Sequence, residues 1–243
     1  KDKLRLIKDK VYFNNKTFNE LIKDKINLKA ILTICVLTDG SITEDRRICY
    51  YTKDENLKEI SYNIIQKLSK YKTNIHKCKK GVYSIRVSDY DLVKRLKKLS
   101  PTFKKIPHKN QNKEDYYKEV QPSIKFLNNL NKKTVEWCIR FGFSADGCIS
   151  KPKKSQASLS LACYHQTLPQ EWKEILDKNN IHVWVIRRRK SWCGFDGVRT
   201  SKRISMKNFH KIGGFVPGVK ISSKSKYYKG LEKNQLLKQV TGL

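Results

Sequence analysis

Two long apolar stretches interrupt an otherwise polar chain, and both stop on the same dipeptide. LKAILTICVLTDGSIT (28–43) and VEWCIRFGFSADGCIS (135–150) run mostly apolar through several helical turns and then reach Asp39-Gly40 and Asp146-Gly147. Helices that are apolar on most sides are buried ones. After the first, the pattern predicts a helix over 28–39, a sheet beginning at 41–51, a helix over 57–71, strands over 74–79 and 82–88 around Lys80-Gly81, and a basic helix over 91–99. After the second it predicts a helix over 133–146, a strand over 156–163, a helix over 169–179 with Pro169 near its start, a long hairpin of 181–190 with 193–205, and a short helix over 206–212.

The two halves therefore share one pattern, which predicts an internal duplication. Asn-Ile-His at 74–76 and 180–182 falls 35 residues after Asp39 and 34 after Asp146, and Arg-Val-Ser at 86–88 is matched by Arg-Ile-Ser at 203–205. The second copy would then carry about ten extra residues within 183–202. The expected organisation is an N-terminal extension (1–26), a first repeat (27–99), a polar, proline-marked linker (100–132), a second repeat (133–218) and a basic tail (219–243) with a helix near 227–240.

Charge adds a partner to this picture. The 243 residues hold 53 Lys and Arg against 22 Asp and Glu, a formal net charge of +31, which points to a polyanion, nucleic acid first. An anionic membrane surface is the rival, but no apolar run approaches spanning length. With 38% hydrophobic residues the chain has material for one large or two small cores. Seven cysteines without a C-x-x-C pair argue against a disulfide framework and a thiolate zinc site, so reduced thiols in a reducing compartment, cytoplasm or organelle matrix, are expected. No secretory signal is visible, and a first residue of Lys rather than Met suits a trimmed start or a piece of a longer product.

A carboxylate at a helix C-terminus faces carbonyls that already make that end negative, so a positive group belongs there. A carboxylate with backbone carbonyls suits a hard divalent cation such as Mg²⁺. The plainer alternative is that Asp-Gly only turns helix into strand, with Gly in the left-handed conformation. Two instances at matched positions favour the metal.

These segments, LTICVLTDG (32–40) and IRFGFSADG (139–147), resemble the motif of the LAGLIDADG homing endonucleases in their single-chain, two-copy form. The resemblance extends over about 27–220 through the repeat. It implies an α+β fold of two pseudo-twofold-related αββαββα units, with central paired motif helices and saddle-shaped antiparallel sheets that straddle duplex DNA. It also implies hydrolysis of both DNA strands with Mg²⁺, Mn²⁺ being a possible substitute, bound at Asp39 and Asp146 with the Thr38 and Ala145 carbonyls helping. A lysine near each metal site is implied as well, with Lys104 or Lys105 the candidates after the first copy and Lys220 after the second. The motif's helix-packing glycine is replaced by Ile34 and Phe141, Gly142 stands one position late, and Arg140 fills the slot of a small residue.

Strand alternation assigns the DNA-facing residues. In 42–51, Ile42, Ile48 and Tyr50 face inward and Arg47, Cys49 and Tyr51 outward. In 155–164, Leu159, Leu161 and Cys163 face inward and Gln156, Ser158 and Ser160 outward. Arg86, Arg187, Arg189, Arg199, Lys202 and Arg203 complete the candidate DNA-binding set. Lys220, Lys224, Lys226 and Lys229 suit phosphates. His76 and His182 suit packing or a phosphate contact better than a metal, and the four tryptophans (137, 172, 184 and 192) suit core and interface. The leading expectation is a monomeric, intron-encoded or free-standing DNA endonuclease, an intein being disfavoured because the chain neither begins with Cys or Ser nor ends in His-Asn. The alternative is an RNA maturase that binds intron RNA, or a non-cleaving DNA-binding protein of the same fold.

Overall fold

Asparagine and aspartate side chains start the helices of the first unit. The element order is α1 (Lys16–Lys23), α2 (Leu28–Asp39), β1 (Gly40–Thr43), β2 (Arg47–Thr52), α3 (Glu55–Leu68), β3 (Asn74–Lys77), β4 (Tyr83–Ser88) and α4 (Tyr90–Lys97). Next come α5 (Lys113–Lys118), α6 (Lys132–Asp146), β5 (Gly147–Ser150), β6 (Ser158–Ala162), α7 (Leu168–Lys178), β7 (Trp184–Arg187), β8 (Phe195–Thr200), α8 (Arg203–Lys211) and α9 (Lys233–Thr241). The computed structural model describes residues 10–43, 45–107, 111–152, 156–188, 192–222, 225 and 227–243. Asn27 caps α2 by accepting from the Ala30 amide, and Asn131 caps α6 by accepting from the Thr134 amide. Asp54 and Asp89 cap α3 and α4 in the same way. Each such cap contributes about 1 kcal/mol.

The two apolar helices lie side by side at the centre. α2 is buried at Leu28 and from Ala30 through Leu37, with α6, α3, α4 and β2 around it. Burial of each of its Leu and Ile side chains stabilises the fold by roughly 1.5–3 kcal/mol. In α6, Gly142 lets Trp172 of α7 approach closely: a Cβ there would lie 2.9 Å from the Trp172 Cη2 atom and 3.7 Å from Ile34 Cγ2. The late glycine thus serves contact with α7 as well as with α2.

Each central helix runs directly into a four-stranded antiparallel sheet, in the orders β1-β2-β4-β3 and β5-β6-β8-β7. Ile48, Tyr50, Ile85 and Val87 on one sheet, and Leu159, Leu161 and Val198 on the other, are buried inward. The duplication holds, but two of its sequence landmarks do not. Asn74 pairs with Arg86, whereas the residue pairing with the corresponding Arg199 is Trp184, so Asn180-Ile181-His182 precedes its strand. Arg86-Val87-Ser88 lies in β4, but Arg203-Ile204-Ser205 opens α8, because the strand ends at Thr200 and Lys202 is the cap residue of that helix. Arg86 corresponds to Arg199; these lie 47 residues after Asp39 and 53 after Asp146, a smaller insertion than the tripeptides implied. Short tripeptides recur by chance, and pairing register is set by which face is buried. The tail helix starts at Lys233, later than its predicted start.

All seven cysteines are free, and Cys148 is the exposed one. Trp137 and Trp172 are core residues and Trp192 stacks on Tyr117, while Trp184 lies outside the core at 43% exposure. His76 and His182 are both exposed, and the Asp177 carboxylate lies 3.2 Å from His182 Nδ1.

Candidate metal centre and nucleic-acid interface

The C-terminal ends of α2 and α6 meet. There the carboxyl groups of Asp39 and Asp146 lie close enough to shift each other's titration, and both are raised above the ordinary carboxylate range. Burial, and after it the charge of Asp146, pushes the Asp39 carboxyl from 3.8 up to about 7. Burial raises Asp146 as well, against the lowering influence of Lys105, of the Asp39 hydrogen bond and of Lys233. Two buried acids this close cannot both ionise cheaply without further positive charge.

The glycine after each acid makes the geometry possible through space rather than backbone angle. Gly40 and Gly147 are extended, with φ of −125° and −92°, so the left-handed glycine of the plainer Asp-Gly alternative is not formed. A Cβ on Gly40 would stand 2.6 Å from Val36 Cα and 2.8 Å from the Cys49 carbonyl oxygen, and one on Gly147 would stand 2.3 Å from the Phe143 carbonyl oxygen. Only glycine lets the strand leave this close to the last helical turn.

Two lysines supply the positive charge at this end. Lys105 Nζ donates to the Thr38 carbonyl at 2.5 Å, whereas Lys104 turns away to Gln111 and Glu119. At α6 the lysine in place is Lys233, which the sequence reading missed. Its Nζ donates to the carbonyls of Ser144 (2.9 Å), Gly147 (2.8 Å) and Phe143 (3.4 Å), and burial lowers its pKa to about 8. Lys220, the residue expected there, has an exposed side chain, and its backbone N–H donates to Asp54. The signal for Lys233 is helical spacing: with Leu236, Leu237 and Thr241 it forms the buried stripe of α9. Asp39, Ala145, Cys148, Lys220 and Lys233 line a cleft of about 1020 Å³ that also reaches Tyr51 and Asp54 of the first unit.

No protein-family model matches this chain, and no curated protein matches it. Among solved structures, mesophilic variants of the homing endonuclease I-DmoI are 18% identical over 76% of this chain and 89% of theirs, with a TM-score of 0.51. I-DmoI in complex with DNA and Mn is 17% identical over 76% of this chain and 95% of its own, with a TM-score of 0.50. This chain has the LAGLIDADG fold. Full-length DUF199/WhiA from Thermatoga maritima also matches, at 12% identity and a TM-score of 0.49, and the chain spans 64% of its length.

The helix-distal faces of the sheets carry exposed Tyr51, Asn74 and His76 on the first and Cys148, Arg199 and Trp184 on the second, while Cys49 and Ser84 between them are buried. On the first, register places Ser41, Cys49, Arg86 and Asn74 in one row, Tyr51, Ser84 and His76 in the next, and Arg47 opposite Ser88. The Arg86 guanidinium is held by a hydrogen bond to Ser84 Oγ at 2.7 Å. On the second, Cys148, Ser160, Arg199 and Trp184 share a row, and Ser158 meets Ser150 across the strands at 3.0 Å. Arg187 is exposed at a bulge, and Gln156 donates to the Ser201 carbonyl. Lys202 lies beyond the strand. Arg203 belongs to α8 and donates to the Thr241 carbonyl of α9, so it leaves the sheet set. Arg189, Lys224 and Lys226 lie outside the described residues.

Proposed function

We propose that this chain is a site-specific endonuclease that hydrolyses both strands of a long duplex DNA target with divalent metal ions. One observation carries the reading: two carboxyl groups, one from each repeat, meet at adjoining helix ends, where burial raises both above the ordinary carboxylate range. The donors at the helix ends, two carboxyl groups and the adjoining backbone carbonyls, are of the oxygen type that a hard cation takes. Mg²⁺ suits such a site because it keeps waters and takes ligands from substrate phosphate, and Mn²⁺ accepts the same donors. Asp39 and Asp146 would hold the ions, beside the carbonyls of Thr38 and Ala145. When bound, the metal supplies an activated water and charge stabilisation for the leaving 3′ oxygen.

The chain's own side chains do the rest. Lys105 and Lys233 hold two fixed positive charges at the helix ends, which lets a phosphodiester enter beside two acids and favours negative charge building on it. The two outer sheet faces, with Arg47, Tyr51, Arg86, Ser158, Ser160, Arg187 and Arg199, contact the duplex, and the net charge of +31 attracts it. Both acids come from one chain, so a monomer suffices. No helix among the described residues is long and apolar enough to cross a membrane. The fold is that of I-DmoI, a homing endonuclease solved with DNA and Mn. The test is incubation with a library of long duplexes and Mg²⁺ or Mn²⁺, followed by sequencing of the ends. The expected result is double-strand cleavage at one sequence family; duplex binding without cleavage under either metal would overturn the enzymatic reading in favour of a binding protein.

A further inference from the structure

The two outer sheet faces place one arginine each at the same station. Ser41 stands two residues after Asp39 and Cys148 two residues after Asp146, and each begins a row that crosses its sheet in the same strand order. The first row runs Ser41, Cys49, Arg86, Asn74 and the second Cys148, Ser160, Arg199, Trp184. Arg86 and Arg199 are thus third from the edge in both, at the same cross-strand position relative to the paired acids. Their inner neighbours, Cys49 and Ser160, are short; Arg199 is exposed, and Arg86 is half-buried with its Nε–H on Ser84 Oγ.

The third-strand residues match, but the fourth-strand residues do not. Asn74 and Trp184 occupy equivalent positions beside the two arginines, and both are exposed. Asparagine presents a donor and an acceptor that suit the N6 and N7 atoms of adenine, while an indole offers only apolar surface and one donor, which suits a thymine methyl. Arginine pairs two-point with guanine O6 and N7.

We propose that Arg86 and Arg199 read guanines at mirrored positions of the two half-sites of the DNA target, and that Asn74 and Trp184 make the half-sites differ beside them, adenine in one and thymine in the other. This rests on the duplex-DNA reading above. The target is then a near-palindrome whose symmetry breaks at a defined neighbour of each guanine.

The test is selection of bound duplexes from a randomised library by the full chain in EDTA, so that cleavage does not deplete the winners. Wild type is expected to enrich sites with two guanines equidistant from the centre. Arg86→Ala should lose preference at one guanine and Arg199→Ala at its mirror, each by roughly 10- to 100-fold, with other positions unchanged. Arg86→Lys should keep overall affinity yet lose the same preference, because an ammonium cannot make the two-point pair. Asn74→Ala and Trp184→Ala should relax the neighbouring positions. Enriched sites whose preferences survive both arginine substitutions, or weaken at every position alike, would overturn this inference while leaving duplex recognition standing. Failure to enrich any duplex overturns both.

Discussion

The raised pKa of the Asp39 carboxyl, buried beside Asp146, makes a stability prediction that is independent of catalysis. Asp39→Asn keeps the shape of the side chain and a donor for the Asp146 carboxylate, but it removes one buried ionisable acid. In the wild type the Asp39 carboxyl has moved from 3.8 to about 7, so the folded protein holds a proton that the unfolded chain has released across that interval. Wild-type stability from this group is therefore full below about pH 4 and is lost as pH rises toward 7. A displacement of this size corresponds to about 4 kcal/mol when complete, of which about 3 kcal/mol falls between pH 5 and pH 8.5. Relative to wild type, Asp39→Asn should gain stability by that amount over the same interval. Urea unfolding of both proteins in EDTA at a series of pH values measures it. A pH-independent difference, or an Asp39→Asn protein less stable than wild type at pH 8.5, would refute the account of the pair.

Lys233→Met should cost about 3 kcal/mol in urea unfolding, because the carbonyls of Ser144 and Gly147 lose a charged donor in a buried place, and it should lower cleavage at least tenfold. Gly147→Ala should lose about 2 kcal/mol or more, since its Cβ meets the Phe143 backbone; unchanged thermal stability would contradict the close-approach argument. His165 is buried, its Nδ1 accepting from the Thr167 amide and its Nε2–H donating to Gln121, and burial followed by the charge of Lys105 lowers its pKa from 6.5 to about 4. The unfolded chain binds the proton first, so stability is kept above pH 6.5 and lost as pH falls toward 4. Between pH 7 and pH 4.5, wild type should lose about 2 kcal/mol more than His165→Gln in denaturant titrations.

What the sequence disclosed followed from patterns with one physical cause. The two central helices were legible because burial on most sides leaves a long apolar run, and their paired ends because Asp-Gly closes both runs. The burial of Leu159 and Leu161 followed from alternation. The tripeptide landmarks misled because similarity over three residues carries no register, whereas the strand pairs of Arg86 and Arg199 do. Lys233 was hidden among 53 basic residues, and what distinguishes it is its place on the buried stripe of a tail helix whose docking partner no local pattern names. Trp184 was read by residue type as core or interface, and on the edge strand β7 it lies outside the core.

The central claim is that one acid from each repeat serves phosphodiester hydrolysis. The most direct measurement takes the selected target duplex and compares wild type with Asp39→Asn and Asp146→Asn, reading cleavage in Mg²⁺ beside DNA affinity in EDTA. The account predicts that each substitution abolishes double-strand cleavage while affinity stays within a few-fold of wild type. Cleavage that persists in both variants would contradict it.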